Sequence, residues 1–221
     1  MIFTAYASGS AGNLYTISDG TTSLIIECGL PYREIQRLLP MAPSEYAACV
    51  VSHQHGDHYN SKSADELQKR GITIHRGLVG VDHVKTRIGT VEVKPFEVKH
   101  DVPNYGFLFR SRRDGETCVF LIDTFYSPVK FSFSPTIIAI ECNYARDLMK
   151  PGDSINDRLF ASHMSLDQCI KTLKPWDLSQ TREIWLLHLS DERSDEARFQ
   201  KEVQCAFGIP TYIAPAWKRK S

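Results

Sequence analysis

Apolar residues in this chain gather into short runs of about four to eight, each bounded by turn-forming or charged residues. Residues 14–17 and 23–27 are β-prone and flank Asp19-Gly20-Thr21-Thr22, a hairpin pattern. Pro31 suits the first turn of a helix running through Leu39. Residues 47–51 form an apolar strand. Ser61 or Ser63 caps a helix over residues 64–70 that closes at Gly71, and residues 72–75 form the next strand, giving a β-α-β unit. From Thr86 to Phe120 the pattern is mostly extended, with a hairpin about Arg113-Asp114-Gly115-Glu116. Residues 119–122 and 136–140 read as buried strands. A helix over 166–173, a strand at 183–187, a helix over 195–207 ended by Gly208, and a strand at 211–214 complete the series.

Strand-rich blocks separated by helices, in both halves, predict an α/β chain of two packed sheets covered by helices outside. No linker, repeat or low-complexity stretch divides it, so residues 1–221 are expected to form one domain. The 42% hydrophobic content is ordinary for a globular chain of this length, which can bury a core without staples. Lys+Arg and Asp+Glu balance at 26 each, so global charge selects no polyanionic partner and leaves room for a local basic patch. Cys28, Cys49, Cys118, Cys142, Cys169 and Cys205 are scattered without a CxxC pair, as expected of thiols in a reducing compartment. With no secretory pattern at the start and no apolar run near 20 residues, the expected location is the cytoplasm, with no membrane association.

The chemistry concentrates in VVSHQHGDHYN, residues 50–60. His53 and His55 lie two apart, so in extended backbone both imidazoles face one side and reach one metal ion. Gly56 allows a sharp turn, after which Asp57 and His58 can face a second ion. Imidazole with carboxylate suits zinc, or manganese and iron where oxygen donors are added. Four residues cannot complete two coordination shells. Three more ligand-type residues stand just past β-prone or apolar runs: His100 in VKHDVPNYGF, Asp123 in VFLID and His188 in IWLLH. Each alone is ordinarily a turn or cap residue, but their recurrence at strand ends points to a common centre. His75 and His83 stand isolated and read as solvated histidines.

HQHGDH resembles the HxHxDH signature of the metallo-β-lactamase fold, an αββα sandwich with a dinuclear site at the edge of two sheets. YASGSAGNLYTI, LIIECG, HDVPNYGF, IDTFY, IECNYARDLM, ASHMS and LLHLSDERS resemble successive motifs of its YycJ (WalJ)-like nuclease branch, along nearly the whole chain. The resemblance implies one metal held by His53, His55 and His100, a second held by Asp57, His58 and His188, and Asp123 bridging them. Asp57 and His163 are the catalytic candidates. Glu27 departs from the aspartate usual there, Cys28 from a small residue, and Ser162 from the glycine common before His163. Glu27 is expected beside a ligand, where its longer side chain puts the usual contact in question.

Two divalent ions, zinc or manganese, acidify a water and stabilise charge on the attacked group, which serves phosphodiesters, lactones, thioesters and β-lactams alike. Retention of Asp57, the form HDVPNYGF and the extra histidine in SHMS favour phosphodiester cleavage, with DNA, RNA and smaller phosphodiesters all admissible. His163 can bind a phosphate oxygen or protonate a leaving alkoxide; a plain helix-start residue is the other reading. A small-molecule ester, thioester or lactone hydrolase is the alternative function. A silent binding module fits an intact ligand set poorly. Arg110, Arg112 and Arg113, and the run Lys218-Arg219-Lys220, can contact phosphates or simply serve as a solvated sheet edge and tail.

Overall fold

The computed structural model describes residues 1–76, 85–150 and 156–218; His83, Arg219 and Lys220 lie outside them. One mixed sheet has the order β1 (Ile2–Ala7), β2 (Leu14–Ser18), β3 (Ser23–Ile26), β4 (Ala48–Val51) and β5 (Thr73–Arg76). The second runs β12 (Thr211–Ile213), β11 (Glu183–Leu187), β10 (Ile137–Glu141), β9 (Thr117–Leu121), β8 (Asn104–Ser111), β7 (Val91–Val98) and β6 (Thr86–Ile88). Helices α1 (Tyr32–Leu38) and α2 (Ser61–Lys69) follow strands of the first sheet; α3 (Asn156–Ser162), α4 (Leu166–Leu173) and α5 (Glu196–Phe207) belong to the second half.

Strand alternation divides the apolar residues among three layers. Tyr15, Ile17 and Ile26 of one sheet meet Phe107, Phe120 and Ala139 of the other in a core between the sheets. The opposite faces of the same strands bury Ile25 and Cys49 against Ile35 of α1 and Leu67 of α2. On the far side, Ile138, Ile140 and Leu186 meet Leu173 of α4 with Phe199 and Val203 of α5. The result is the expected αββα sandwich.

One strand and one α-helix are additions to the sequence expectation, as are the 3-10 turns Pro43–Glu45 and Arg146–Leu148. Strand β1 was not foreseen, because as a sheet edge it leaves most residues of IFTAYA partly exposed and blurs the alternation. Helix α3 has only 7 residues and no conspicuous apolar stripe. The cap of α2 is Asn60, whose side chain accepts from the Ser63 N–H, while the Ser63 hydroxyl donates to the Leu30 carbonyl. Gly208, with φ 69°, ends α5 as anticipated, while Asp195 stands just outside the helix as its cap, its side chain accepting from the Arg198 N–H.

Strand direction decides where function can sit. β9, β10, β11 and β12 are mutually parallel, and β7 runs with β9 because both are antiparallel to β8. In the first sheet β3, β4 and β5 are parallel. The carboxyl ends of these strands therefore deliver Glu27, His53, His100, Asp123, Glu141 and His188 to one end of the sandwich. The Arg112–Arg113 turn joins β8 to the start of β9, so it lies at the opposite end from Asp123. Arg113 there donates to the Asp19 carbonyl, and Arg112 pairs with Glu92 at 3.7 Å. Both arginines therefore have partners within the fold, at the end away from the expected ligands.

Candidate metal centre

The HQHGDH loop leaves β4 and is clamped in good part through its backbone. Cys28 N–H donates to the His58 carbonyl at 2.9 Å, Asn60 N–H to the Cys28 carbonyl at 3.1 Å, and Asn13 N–H to the Asp57 carbonyl at 2.8 Å. Gly29 permits this approach, since a Cβ there would fall 1.7 Å from the Asp57 carbonyl oxygen. Glu27, Asp123 and His188 all adopt positive φ (64°, 49° and 55°) just after strands β3, β9 and β11. That left-handed kink ends each strand and is costly for side-chain-bearing residues.

All seven residues expected from the sequence as ligands meet here. His55 Nδ1 lies 3.1 Å from His53 Nε2 and 3.3 Å from His100 Nε2. Asp57 Oδ2 lies 3.4 Å from both His58 Nε2 and His188 Nε2. Asp123 Oδ2 faces both groups, 3.1 Å from His58 Nε2, 3.5 Å from His53 Nε2 and 3.9 Å from His100 Nε2. Donor atoms in a tetrahedral site with bonds of about 2.0–2.2 Å stand roughly 3.3–3.6 Å apart. The two donor groups, sharing Asp123, thus have the spacing and chemistry of a pair of cation sites.

Two of the outer ring nitrogens are engaged elsewhere, which turns the inner ones inward. His53 Nδ1 meets Ser52 Oγ at 2.9 Å, and His100 Nδ1 meets the Ser162 carbonyl at 3.2 Å. Glu27, fully buried, accepts from Ser52 N–H and lies 3.6 Å from His58 Nδ1, so the longer carboxylate still faces the histidine. Burial raises the carboxyl pKa of Asp57, but His188 and His58 outweigh it and hold Asp57 well below the usual range. Burial likewise opposes ionisation of Asp123, and the neighbouring His188, His58 and His163 reverse it. His53 is pushed down to about 2, first by burial and then by His58. His58 moves the other way: Asp123 and Asp57 overcome its burial and keep it protonated in the absence of metal.

His163, the eighth residue expected from the sequence, is also at the centre. Its Nδ1 donates to Glu141 Oε1 at 2.6 Å, and its ring stacks on His188 with centroids 5.3 Å apart. Glu141, fully buried, also accepts from Thr124 N–H at 2.8 Å and Met164 N–H at 3.2 Å. Both Glu141 oxygens accept hydrogen bonds, so Glu141 anchors His163, and it also stands with Asp123, His163 and His188 in a third group of ligand-type side chains. Sequence reasoning missed Glu141, although it ends an apolar run just as Asp123 and His188 do. Asp101 was also missed; its Oδ1 lies 3.0 Å from His100 Nε2 and 3.4 Å from His55 Nε2. His75 is half-buried on β5 and takes no part.

An open cavity of about 380 Å³ lies over the centre, lined by Ser10, His55, Gly56, Asp57, His100, Asp123, Leu159, His163 and His188. Lys218 follows β12 at this same end and lines a neighbouring hollow with Ser190 and Asp191.

No protein-family model matches the chain. The chain is 22% identical over 218 residues to exodeoxyribonuclease YycJ of Bacillus anthracis, covering 85% of this chain and 82% of that protein. Among solved structures it superposes on the metallo-beta-lactamase fold protein YhfI from Bacillus subtilis with a TM-score of 0.74 and 19% identity, over 98% and 97% of the two chains. Human tRNase Z, short form, gives a TM-score of 0.64 and 13% identity over 100% and 99%. The chain has the metallo-β-lactamase fold. Among the described residues no helix is long and apolar enough to cross a membrane.

Proposed function

We propose that the protein is a dinuclear metal-dependent phosphodiesterase whose substrate is DNA or RNA. The observation that carries this reading is the pairing of two carboxylate-linked histidine groups with a separate, anchored histidine over the same cavity. His53, His55 and His100 would hold one divalent ion; Asp57, His58 and His188 the other; Asp123 would lie between. Zinc suits this nitrogen-rich set, and manganese is the other candidate. Two such ions supply an acidified water and charge to bear a developing negative phosphate.

The chain's own residues supply the rest. Glu141 takes the Nδ1 proton side of His163, which leaves Nε2–H as the donor available to the cavity. In hydrolysis the attacking water gives up one proton to solvent and its oxygen bonds phosphorus, the phosphorus–oxygen bond to the leaving group breaks, and the departing alkoxide takes the proton from His163 Nε2. Solvent returns that proton to His163 afterwards. The names of the YycJ nuclease and tRNase Z, both similar to this chain, support a nucleic-acid substrate. We propose further that residues 1–221 act as one unit, since the site draws on Gly9 through His188 and Ser8 N–H bonds the Pro215 carbonyl. The free thiols suit a cytoplasmic setting.

The test is turnover by protein loaded with Zn²⁺ or Mn²⁺ on single- and double-stranded DNA, RNA, bis-p-nitrophenyl phosphate, a thioester, a lactone and a β-lactam. Phosphodiester cleavage is the expected outcome. Efficient thioester or lactone hydrolysis without any phosphodiester cleavage under either metal would replace this reading with the small-molecule hydrolase.

A further inference from the structure

The cavity has an asymmetric supply of hydrogen-bond donors. Among the described residues no lysine or arginine lines it, and Asp57 and Asp123 contribute only acceptors. A phosphate held there presents non-bridging oxygens that need donors beyond His163.

One residue with two unused donors stands at the rim. Gly9 to Gly12 form a turn closed by the Gly12 N–H on the Gly9 carbonyl at 3.0 Å, with Ser10 and Ala11 at its centre. The turn cannot relax easily. Gly9 and Gly12 have φ of 134° and 148°, and a Cβ on Gly12 would sit 2.4 Å from Leu30 Cδ2. Asn13 fastens the turn to the metal loop: its Oδ1 accepts from Gly9 N–H at 2.9 Å and its Nδ2 donates to the Asp57 carbonyl at 3.1 Å. On the other side, Ser8 Oγ accepts from His188 N–H at 2.7 Å. The turn is thereby tied to the two segments that carry Asp57 and His188. Ser10 itself is exposed and lines the cavity, and neither its hydroxyl nor its N–H has a partner among the described residues.

We propose that Ser10 is a substrate-positioning residue, donating its hydroxyl and backbone N–H to a non-bridging oxygen of the scissile phosphodiester. This inference rests on the phosphodiesterase reading. A rigid turn suits the task, because a preset donor spends no binding energy on being ordered.

The test compares wild type, Ser10→Ala and Ser10→Thr, each loaded with metal, by calorimetric binding of inorganic phosphate and by steady-state cleavage of bis-p-nitrophenyl phosphate. Metal content and melting temperature are measured alongside. A hydrogen bond to a charged group predicts phosphate affinity weakened by about tenfold to a hundredfold in Ser10→Ala, with a matching fall in kcat/KM. Metal content and melting temperature should stay at wild-type values, and Ser10→Thr should recover most of the loss. Unchanged phosphate affinity in Ser10→Ala, beside a wild type that binds and cleaves, overturns the inference alone. Loss of metal in Ser10→Ala also overturns it, by making the residue a support of the metal loop. A wild type that binds no phosphate and cleaves no phosphodiester removes the functional reading and this inference together.

Discussion

Replacing Glu141 with glutamine should uncouple His163 from its anchor without changing the shape of the site. Burial alone lowers the His163 pKa from 6.5, but the Glu141 charge and hydrogen bond, with Asp123, carry it up to about 9. That rise corresponds to on the order of 3 kcal/mol in favour of the imidazolium. A histidine raised on folding adds stability that is complete below pH 6.5 and lost as pH climbs through about 9. Denaturant unfolding of metal-free protein, from about pH 5.5 to about pH 10, should therefore show the largest advantage of wild type over Glu141→Gln at the acidic end. The gap should narrow by roughly 3 kcal/mol toward the alkaline end. A constant offset will remain, because the Thr124 and Met164 N–H groups also lose part of their acceptor. His163→Ala placed in both backgrounds closes a double-mutant cycle and isolates the pair. Stability curves of wild type and Glu141→Gln that run parallel across the whole range would refute the coupling.

Three further outcomes are expected. Asp123→Ala should lose metal at both positions by elemental analysis, because its Oδ2 faces both donor groups; unchanged stoichiometry would remove it from the bridge. His163→Ala should keep both ions while turnover of DNA or RNA falls by roughly 10²–10⁴, with a smaller loss on a p-nitrophenyl diester whose leaving group needs little protonation. Equal losses on both substrates would exclude proton donation. Asn13→Ala should weaken metal binding by about 10–100-fold through release of the Asp57 loop, as outer-layer changes do; Zn²⁺ competition with a chromophoric chelator measures it.

The legible parts of this chain were those where one physical signal dominates. HxHxDH is hard to explain by packing, and an apolar run that ends on a ligand-type residue marks a strand aimed at a shared point. That rule reached Asp123 and His188, and applied once more to residues 136–141 it reaches Glu141. His163 came from the motif resemblance, while its anchor is a contact between residues 22 apart that no local pattern encodes. Asn13, Tyr15 and Ser8 lie in the motif YASGSAGNLYTI, but their contacts were unreadable for the same reason. Tyr15 sits in an ordinary strand pattern, yet its hydroxyl donates to Asn13 Oδ1 and meets Ser8 Oγ at 2.6 Å. The arginine turn left two readings open: charge is visible in sequence, but which end of the sandwich it occupies follows only from strand direction.

The strained strand ends show how the fold supports such a centre. Each left-handed residue among Glu27, Asp123 and His188 costs on the order of 1 kcal/mol or more relative to an unstrained backbone. Each is held by hydrogen bonds to or from residues that are not candidate ligands. Ser52 N–H reaches the Glu27 carboxylate, Asn104 Nδ2 donates to the Asp123 carbonyl at 2.7 Å, and Asn143 Nδ2 donates to the His188 carbonyl at 2.6 Å. All three supporting residues are buried, so their bonds meet little competition from water. Strain held this way keeps the donor atoms crowded even when like-charged carboxylates would push them apart. The protons gathered on His58 and His163 offset part of that negative charge in the metal-free protein, and divalent cations would take over the task by displacing the proton on His58. Metal affinity should accordingly fall with pH in the acid range, because protons and cations compete for one set of electron pairs in a scaffold already strained into shape.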